Sequence, residues 1–527
     1  MNTEKETLSS QGSSKRVLKQ LFYLVFISIG SKILGFVREF AVANKLGTSI
    51  QSDAYFLAIT VSVTICGGII AAFSTSFIPV YSKVFRRSED ESKRFVNKLQ
   101  TLIFLLQAII IIVFLLVKPY LFNIFFHHSN PDMVLLANRL SGIMIFYLFA
   151  SGVRTVSGGY LQYNNKTAIV YFVLNVVQNI IIILSIFAYK DNLDTLAYGY
   201  LIAGIIVAIC LVAIAYRNGF RYKPDFRLDS AYVKEAIALT LPIFINQILM
   251  DINTFFDKSI ASGLGTGIVS SLNYAYKIND IFVVTFGTTL ATALYPEISK
   301  LIASKQQTES SLLLRKSLRQ ITMLLFPFSV MMLFYSNEIV EILLMRGAFT
   351  KQSAMITAQC LQCYCLGMLF FAYRQIFYRV MLSCHRTKKI MINSCLVVVL
   401  NISMNLILSR LIGYRGVAIA TTVSVMIMTS IMLVDISKSE IQISYRMLIK
   451  DNAIYVISSV IPFAVVFLAV RLLEPVFGSF ISHNVISIIC IILSVALYVV
   501  VLIVKRDDNL LEVYSMISNK VRQFRKS

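Results

Sequence analysis

Lys32, Arg38 and Glu39 fall within one apolar run, SIGSKILGFVREFAVANKL. A Lys or Arg at the centre of a bilayer-spanning helix costs roughly 2.5–3.5 kcal/mol even on lenient insertion scales, so such groups face a cavity or a partner and mark a ligand path. Ser28, Lys32, Gly35 and Glu39 follow i, i+4, i+7, i+11 spacing and share one stripe of a helix, with Arg38 at its flank. A later run sets Asn246, Asn253 and Asp257 on one stripe and Gln247, Asp251, Thr254 and Lys258 on a neighbouring one. The run after that carries Asn273, Lys277 and Asp280, the last two at a spacing that permits an ion pair. Cations held in a low-dielectric cavity attract a phosphate or diphosphate far more strongly than in water, and arginine can grip it with a two-pronged fork. Glu39, Asp53, Asp257 and Asp280 would orient those cations, neutralise them when the site is empty, or take up a proton or cation. Asp53, at the start of a run, reads equally well as a helix cap. Arg374 and Arg379 are expected near a cytoplasmic helix end, where snorkelling fits better than ligand contact. The spacing of Cys360, Cys363 and Cys365 lacks the second pair that a zinc or iron site needs, so neither a metal nor another cofactor is predicted.

The elements that must position these groups follow from composition. Of 527 residues, 57% are hydrophobic and only 14% charged, and mean hydropathy is +0.74, whereas soluble domains carry about 25% charged residues. The chain reads as an all-α polytopic membrane protein. Apolar runs of about 20 residues give about fourteen spanning segments: 17–44, 53–82, 99–126, 132–153, 166–189, 195–216, 235–262, 267–298, 318–344, 353–382, 390–410, 414–436, 451–473 and 484–504. The formal net charge of +22 gathers in alternate loops, among them Lys83, Arg86, Arg87, Lys93, Arg94 and Lys98, and later Arg217, Arg221, Lys223 and Arg227. The intervening loops, such as NKLGTSIQSD and YKDNLD, are short and poor in charge. This is the positive-inside pattern, so the basic surplus is an insertion signal and not a nucleic-acid footprint, and both termini are expected in the cytoplasm. Residues 1–14 are polar and no small-residue cleavage site follows the first run, so that run reads as a retained helix.

The two halves repeat. VANKLGTSIQS from Val42 matches IASGLGTGIVS from Ile260, an offset of 218 residues that also places Glu39 on Asp257, while PVYSK at 79–83 pairs with PEISK at 296–300. An offset of six segments, an even number, gives both copies the same orientation: a parallel repeat with a substrate site expected between the halves. The expected organisation is an N-lobe of six helices over 1–216, a cytoplasmic linker over 217–234, a six-helix C-lobe over 235–436, and two further helices with a basic tail over 437–527.

SKILGFVREFAVANKLGTSIQSDAYF, followed by AAFSTSFIPVYSK, resembles the opening of the MviN/MurJ group of the multidrug/oligosaccharidyl-lipid/polysaccharide exporter superfamily. The resemblance continues through INTFFDKSIASGLGTGIVSSLNYAYKINDIF, ALYPEISK and RGAF at 346–349. It implies fourteen helices in two lobes around a cationic cavity, and a flippase that moves an undecaprenyl-diphosphate-linked saccharide, chiefly the peptidoglycan precursor lipid II, from the inner to the outer leaflet of the bacterial cytoplasmic membrane. The implied partners are that lipid-linked saccharide and membrane lipids, with no nucleic acid, and the protein is expected to be a monomer and not an enzyme. The family's site cations and acids fall on Lys32, Arg38, Glu39, Asp53, Lys277 and Asp280, and the last two helices would groove the lipid tail. Two lysines stand where many members have arginine, and TICGGIIAAFS around Cys66 lacks the Arg and Glu usual in the family. An O-antigen or exopolysaccharide flippase, or a cation-coupled drug antiporter of the same superfamily, are the alternative readings. Alternating access is the expected mechanism, with Gly30, Gly35, Gly67 and Gly68 as pliable points.

Overall fold

A computed structural model describes residues 26–28, 30–438, 441, 443, 445–477 and 483–511. The predicted helix start at Val17, the polar residues 1–14 and the basic tail beyond 511 lie outside the described residues. In chain order the helices are α1 (30–46), α2 (Ile50–Arg87), α3 (Glu89–Phe125), α4 (Pro131–Met144), α5 (Tyr147–Tyr163), α6 (Thr167–Ala188), α7 (Asp194–Arg217), α8 (Ala231–Ser262), α9 (Ile268–Ala303) and α10 (Gln307–Phe334). They continue as α11 (Ser336–Leu344), α12 (Lys351–Cys365), α13 (Met368–Ser383), α14 (Thr387–Ile412), α15 (Tyr414–Ser437), α16 (Tyr445–Phe477) and α17 (His483–Val504). Among the described residues, eleven helices are long and apolar enough to cross a membrane, or up to thirteen spans when the bent pairs α4–α5 and α12–α13 each count as one. With α1, these follow the predicted segments in order, so the expected number of about fourteen is matched in outline.

The chain forms two compact units, residues 1–270 with 346–349, and residues 271–345 with 350–527. By packing, α8 joins the first unit, while the repeat read from the sequence begins its second copy there. In unit 1, α2 is the central element. Its Phe77 is fully buried and stacks on Tyr81 at 5.4 Å between ring centroids. Ser76 Oγ and Thr240 Oγ1 of α8 share a hydrogen bond of 2.6 Å. In unit 2, α10 is the centre: Leu314, Leu318, Ile321, Leu325 and Met332, all 0% exposed, recur at helical spacing and define its packed face. α16 and α17 close on it through Tyr455, Tyr498 and Leu502, with Tyr498 Oη donating to the Met323 carbonyl at 2.7 Å.

The two copies share local irregularities. π-helical turns interrupt α2 at Ile59–Ile65 and α9 at Val283–Thr288, and α4–α5 and α12–α13 bend by 41° and 46°. In α2 the hydroxyls of the ITVSVT stretch explain how the distorted turn is tolerated: Thr60 Oγ1 donates to the Phe56 carbonyl at 2.9 Å and Ser62 Oγ to that of Ala58 at 2.6 Å, taking up acceptors at the irregular turn.

Candidate functional site

Arg38, half-buried on α1, donates to Glu39 Oε1 at 2.8 Å and to Asn179 Oδ1 of α6 at 3.2 Å. Glu39 is buried. Opposite charges about 4 Å apart gain roughly 4 kcal/mol at an effective dielectric near 20, the same order as the cost of placing one cation inside a span. The acid therefore compensates the cation, and two acceptors on different helices hold the guanidinium in one orientation. Tyr55 of α2 and Tyr200 of α7 lie within electrostatic reach of this pair.

Tyr200 is shared with a second guanidinium, Arg154 of α5. Arg154 donates to Tyr147 Oη and sits 5.5 Å from the centroid of the Tyr147 ring, which itself packs 5.0 Å from the Tyr200 ring. Gln178 Nε2 donates to the same hydroxyl at 3.1 Å. Arg154 lines a cavity of about 620 Å³ walled by α2, α5, α6 and α8, with Ser151, Thr155, Asn175, Gln247 and Asp251 as polar lining. Asp251 is buried; its Oδ1 accepts from Gln247 Nε2 at 3.0 Å, and its Oδ2 has no hydrogen-bond partner among the described residues.

The other predicted residues separate by role. Asp53 is fully buried, and its two oxygens accept from the backbone N–H groups of Gly267 at 2.6 Å and Ser270 at 2.8 Å. Asp53 thus caps α9 from outside, while α2 has its own capping box: Ser49 N–H donates to Ser52 Oγ at 2.9 Å and Ser52 N–H to Ser49 Oγ at 3.3 Å. Nearby, the RGAF segment docks on the first LGT motif, with Ala348 N–H donating to the Asn44 carbonyl at 2.8 Å. Gly47 there has φ +59° and a Cβ would collide with the Ala348 carbonyl, so only glycine suits the position. Asp257 accepts from Asn253 Nδ2 at 3.4 Å, and Lys258 Nζ donates to Thr60 Oγ1 at 2.7 Å. Lys32 is half-buried on α1. In unit 2, Lys277 and Asp280 are half-buried on α9, and Asp280 and Tyr276 interact electrostatically with Arg374. Arg374 lies in the interior of α13 and is half-buried.

Residues 42–505 match the family model described as "Lipid II flippase MurJ". The chain belongs to the MurJ family. It is 25% identical over 407 residues to the probable lipid II flippase MurJ of Rickettsia prowazekii (strain Madrid E), covering 76% of this chain and 80% of that one. It is 27% identical over 415 residues to the counterpart of Rhizobium meliloti (strain 1021), covering 75% and 76%. A solved lipid II flippase MurJ in an inward closed conformation has the same fold, with a TM-score of 0.78 at 24% identity over 92% of this chain and 99% of that one. An inward-facing multidrug resistance MATE transporter is similar at a TM-score of 0.65 and 15% identity, over 77% and 93%.

For a MurJ family member the instructive omission from the sequence reading is Arg154. The predicted fourth segment ended at 153, which put Arg154 just past a helix end; the observed α5 runs on to Tyr163 and makes it an interior residue. Asn179 and Tyr200, which hold and face the arginines, carried no signal, because a single Asn or Tyr in an apolar run is ordinary.

Proposed function

We propose that this protein flips lipid II, an undecaprenyl-diphosphate-linked saccharide, from the inner to the outer leaflet by alternating access, without chemical change to its cargo. The observation that carries the reading is Arg38, a guanidinium inside a span of a MurJ family chain, oriented by Glu39 and Asn179. Such a fixed cation suits a diphosphate. Lys32, Arg38 and Lys277 are the cations that act on the head group. Glu39, Asp257 and Asp280 orient or neutralise these cations, and Asp53 acts by fixing the start of α9. The polyprenyl chain stays in lipid along α16 and α17. The protein works as a monomer, with both termini cytoplasmic and with lobes at 1–216 and 235–436 joined by the 217–234 linker.

Depletion of the protein in its host tests this directly. Outer-leaflet lipid II, read by an impermeant probe, is expected to fall on depletion and to return on complementation. Normal exposure of lipid II together with loss of another surface glycan would assign a different cargo. Lys32→Ala and Lys277→Ala are expected to abolish complementation at unchanged membrane abundance; normal transport by both would remove these lysines from the site.

A further inference from the structure

Arg154 and Arg374 stand at equivalent places in the two copies: each is 23 positions after the first residue of its bent helix pair, Pro131 or Lys351. The surroundings differ. Arg374 has Asp280 as an electrostatic partner, whereas among the described residues no carboxylate pairs with Arg154, whose hydrogen bond goes to the neutral Tyr147 hydroxyl. The chain thus contains its own comparison: in one copy a carboxylate lies within electrostatic reach of this cation, and in the other the cation lines a cavity.

The cavity is of a size to matter. At about 620 Å³ it lies within the roughly 300–1,000 Å³ typical of ligand pockets. Its lining includes two opposite charges that do not meet: no ion pair joins Arg154 to Asp251, and Asp251 Oδ2 is buried without a hydrogen-bond partner among the described residues. A buried carboxylate oxygen left unbonded is costly, and so is an uncompensated guanidinium in a span, unless something bound supplies what each lacks. Ser151, Thr155, Asn175 and Gln247 add neutral donors and acceptors to the same lining.

We propose that this cavity of unit 1 is a binding site for the cargo head group, with Arg154 taking a phosphate oxygen and Asp251 Oδ2 accepting from a hydroxyl or amide N–H of the attached saccharide. The assignment rests on the lipid-linked diphosphate reading above and adds to it two residues that the sequence motifs do not contain. It makes the cavity a place where diphosphate and sugar are read together: a carrier without its saccharide satisfies Arg154 alone.

Full-length protein in lipid nanodiscs, titrated with undecaprenyl diphosphate, lipid II and uncharged undecaprenol, tests the site. Arg154→Gln is expected to weaken both diphosphates by roughly tenfold or more, as befits the loss of a charged hydrogen bond, and to leave undecaprenol unchanged, while Arg154→Lys restores most of the affinity. Asp251→Asn is expected to leave undecaprenyl diphosphate unaffected and to weaken lipid II alone. Wild-type affinity of Arg154→Gln for both diphosphates, with Arg38→Ala weakened, overturns this site and leaves the flippase reading intact. Wild-type affinity in Arg38→Ala and Lys32→Ala as well sinks the reading beneath it. Should thermal melting show Arg154→Gln unfolded, Asn175→Asp, which adds a negative charge to the same lining, is expected to give the same loss, and wild-type affinity there also overturns the site.

Discussion

Among the acids near the site, Glu39 and Asp53 do different work although both are buried. Glu39 faces a side-chain cation and Asp53 faces backbone. Removing Glu39 leaves Arg38 with Asn179 as its remaining hydrogen-bond acceptor, and a charged hydrogen bond contributes about 1.5–3 kcal/mol. Glu39→Gln keeps the shape and one acceptor oxygen, so it is expected to be abundant in the membrane but poor in transport, measured as outer-leaflet lipid II in a complemented depletion strain. Asp53→Ala strips the acceptor from two buried N–H groups at once. Loss of a cap costs about 0.5–2 kcal/mol and each buried unsatisfied donor about 1–3 kcal/mol, so a clear fall in melting temperature is expected in purified protein. A normal melting temperature in Asp53→Ala with lost transport would instead give this carboxylate a direct part in cargo binding.

At the level of the helices, the irregular turns decide what can flex. The π turn of α2 ends at Ile65, two residues before Gly67, where a Cβ would meet nothing within 4 Å. Close packing therefore does not account for glycine at this position, and helix propensity favours alanine by about 0.8–1.0 kcal/mol. Gly67→Ala is expected to raise thermal stability while slowing flipping if the turn bends during transport; unchanged flipping in a stabilised variant would show that α2 moves as a rigid rod. Such turns were illegible in the sequence, since periodicity reports that a run is helical and not how its hydrogen bonds are shifted. The spans themselves were legible because apolar length is so demanding a signal, and Gln247–Asp251 and Asn253–Asp257, placed on stripes of α8 by their spacing, are each joined by a hydrogen bond in the structure. Helix ends were less so: Arg154 shows that a boundary misplaced by ten residues, 153 in place of Tyr163, is enough to hide a half-buried cation in a helix interior.

For the whole chain, the direction of transport follows from which loops face the cytoplasm. Insertion is governed by Lys and Arg in short loops, and the segment between α7 and α8 carries Arg221, Lys223 and Arg227, whereas that between α6 and α7 carries Lys190 beside Asp191. The paired bends, and the π turns of α2 and α9, agree with a parallel duplication, to which α6 adds a π turn of its own at Phe172–Val177, and in such a duplication each copy must meet the membrane in the same sense. On the proposed mechanism, a head group captured by these cations from the cytoplasmic side travels outward. With the eight native cysteines replaced, Asp191→Cys, an exposed position, is expected to react with an impermeant maleimide in intact cells, and the equally exposed Arg227→Cys only after the membrane is opened. The reverse labelling pattern would turn the protein over in the membrane, and with it the inner-to-outer sense of flipping, because the same cations would then load from the outer face.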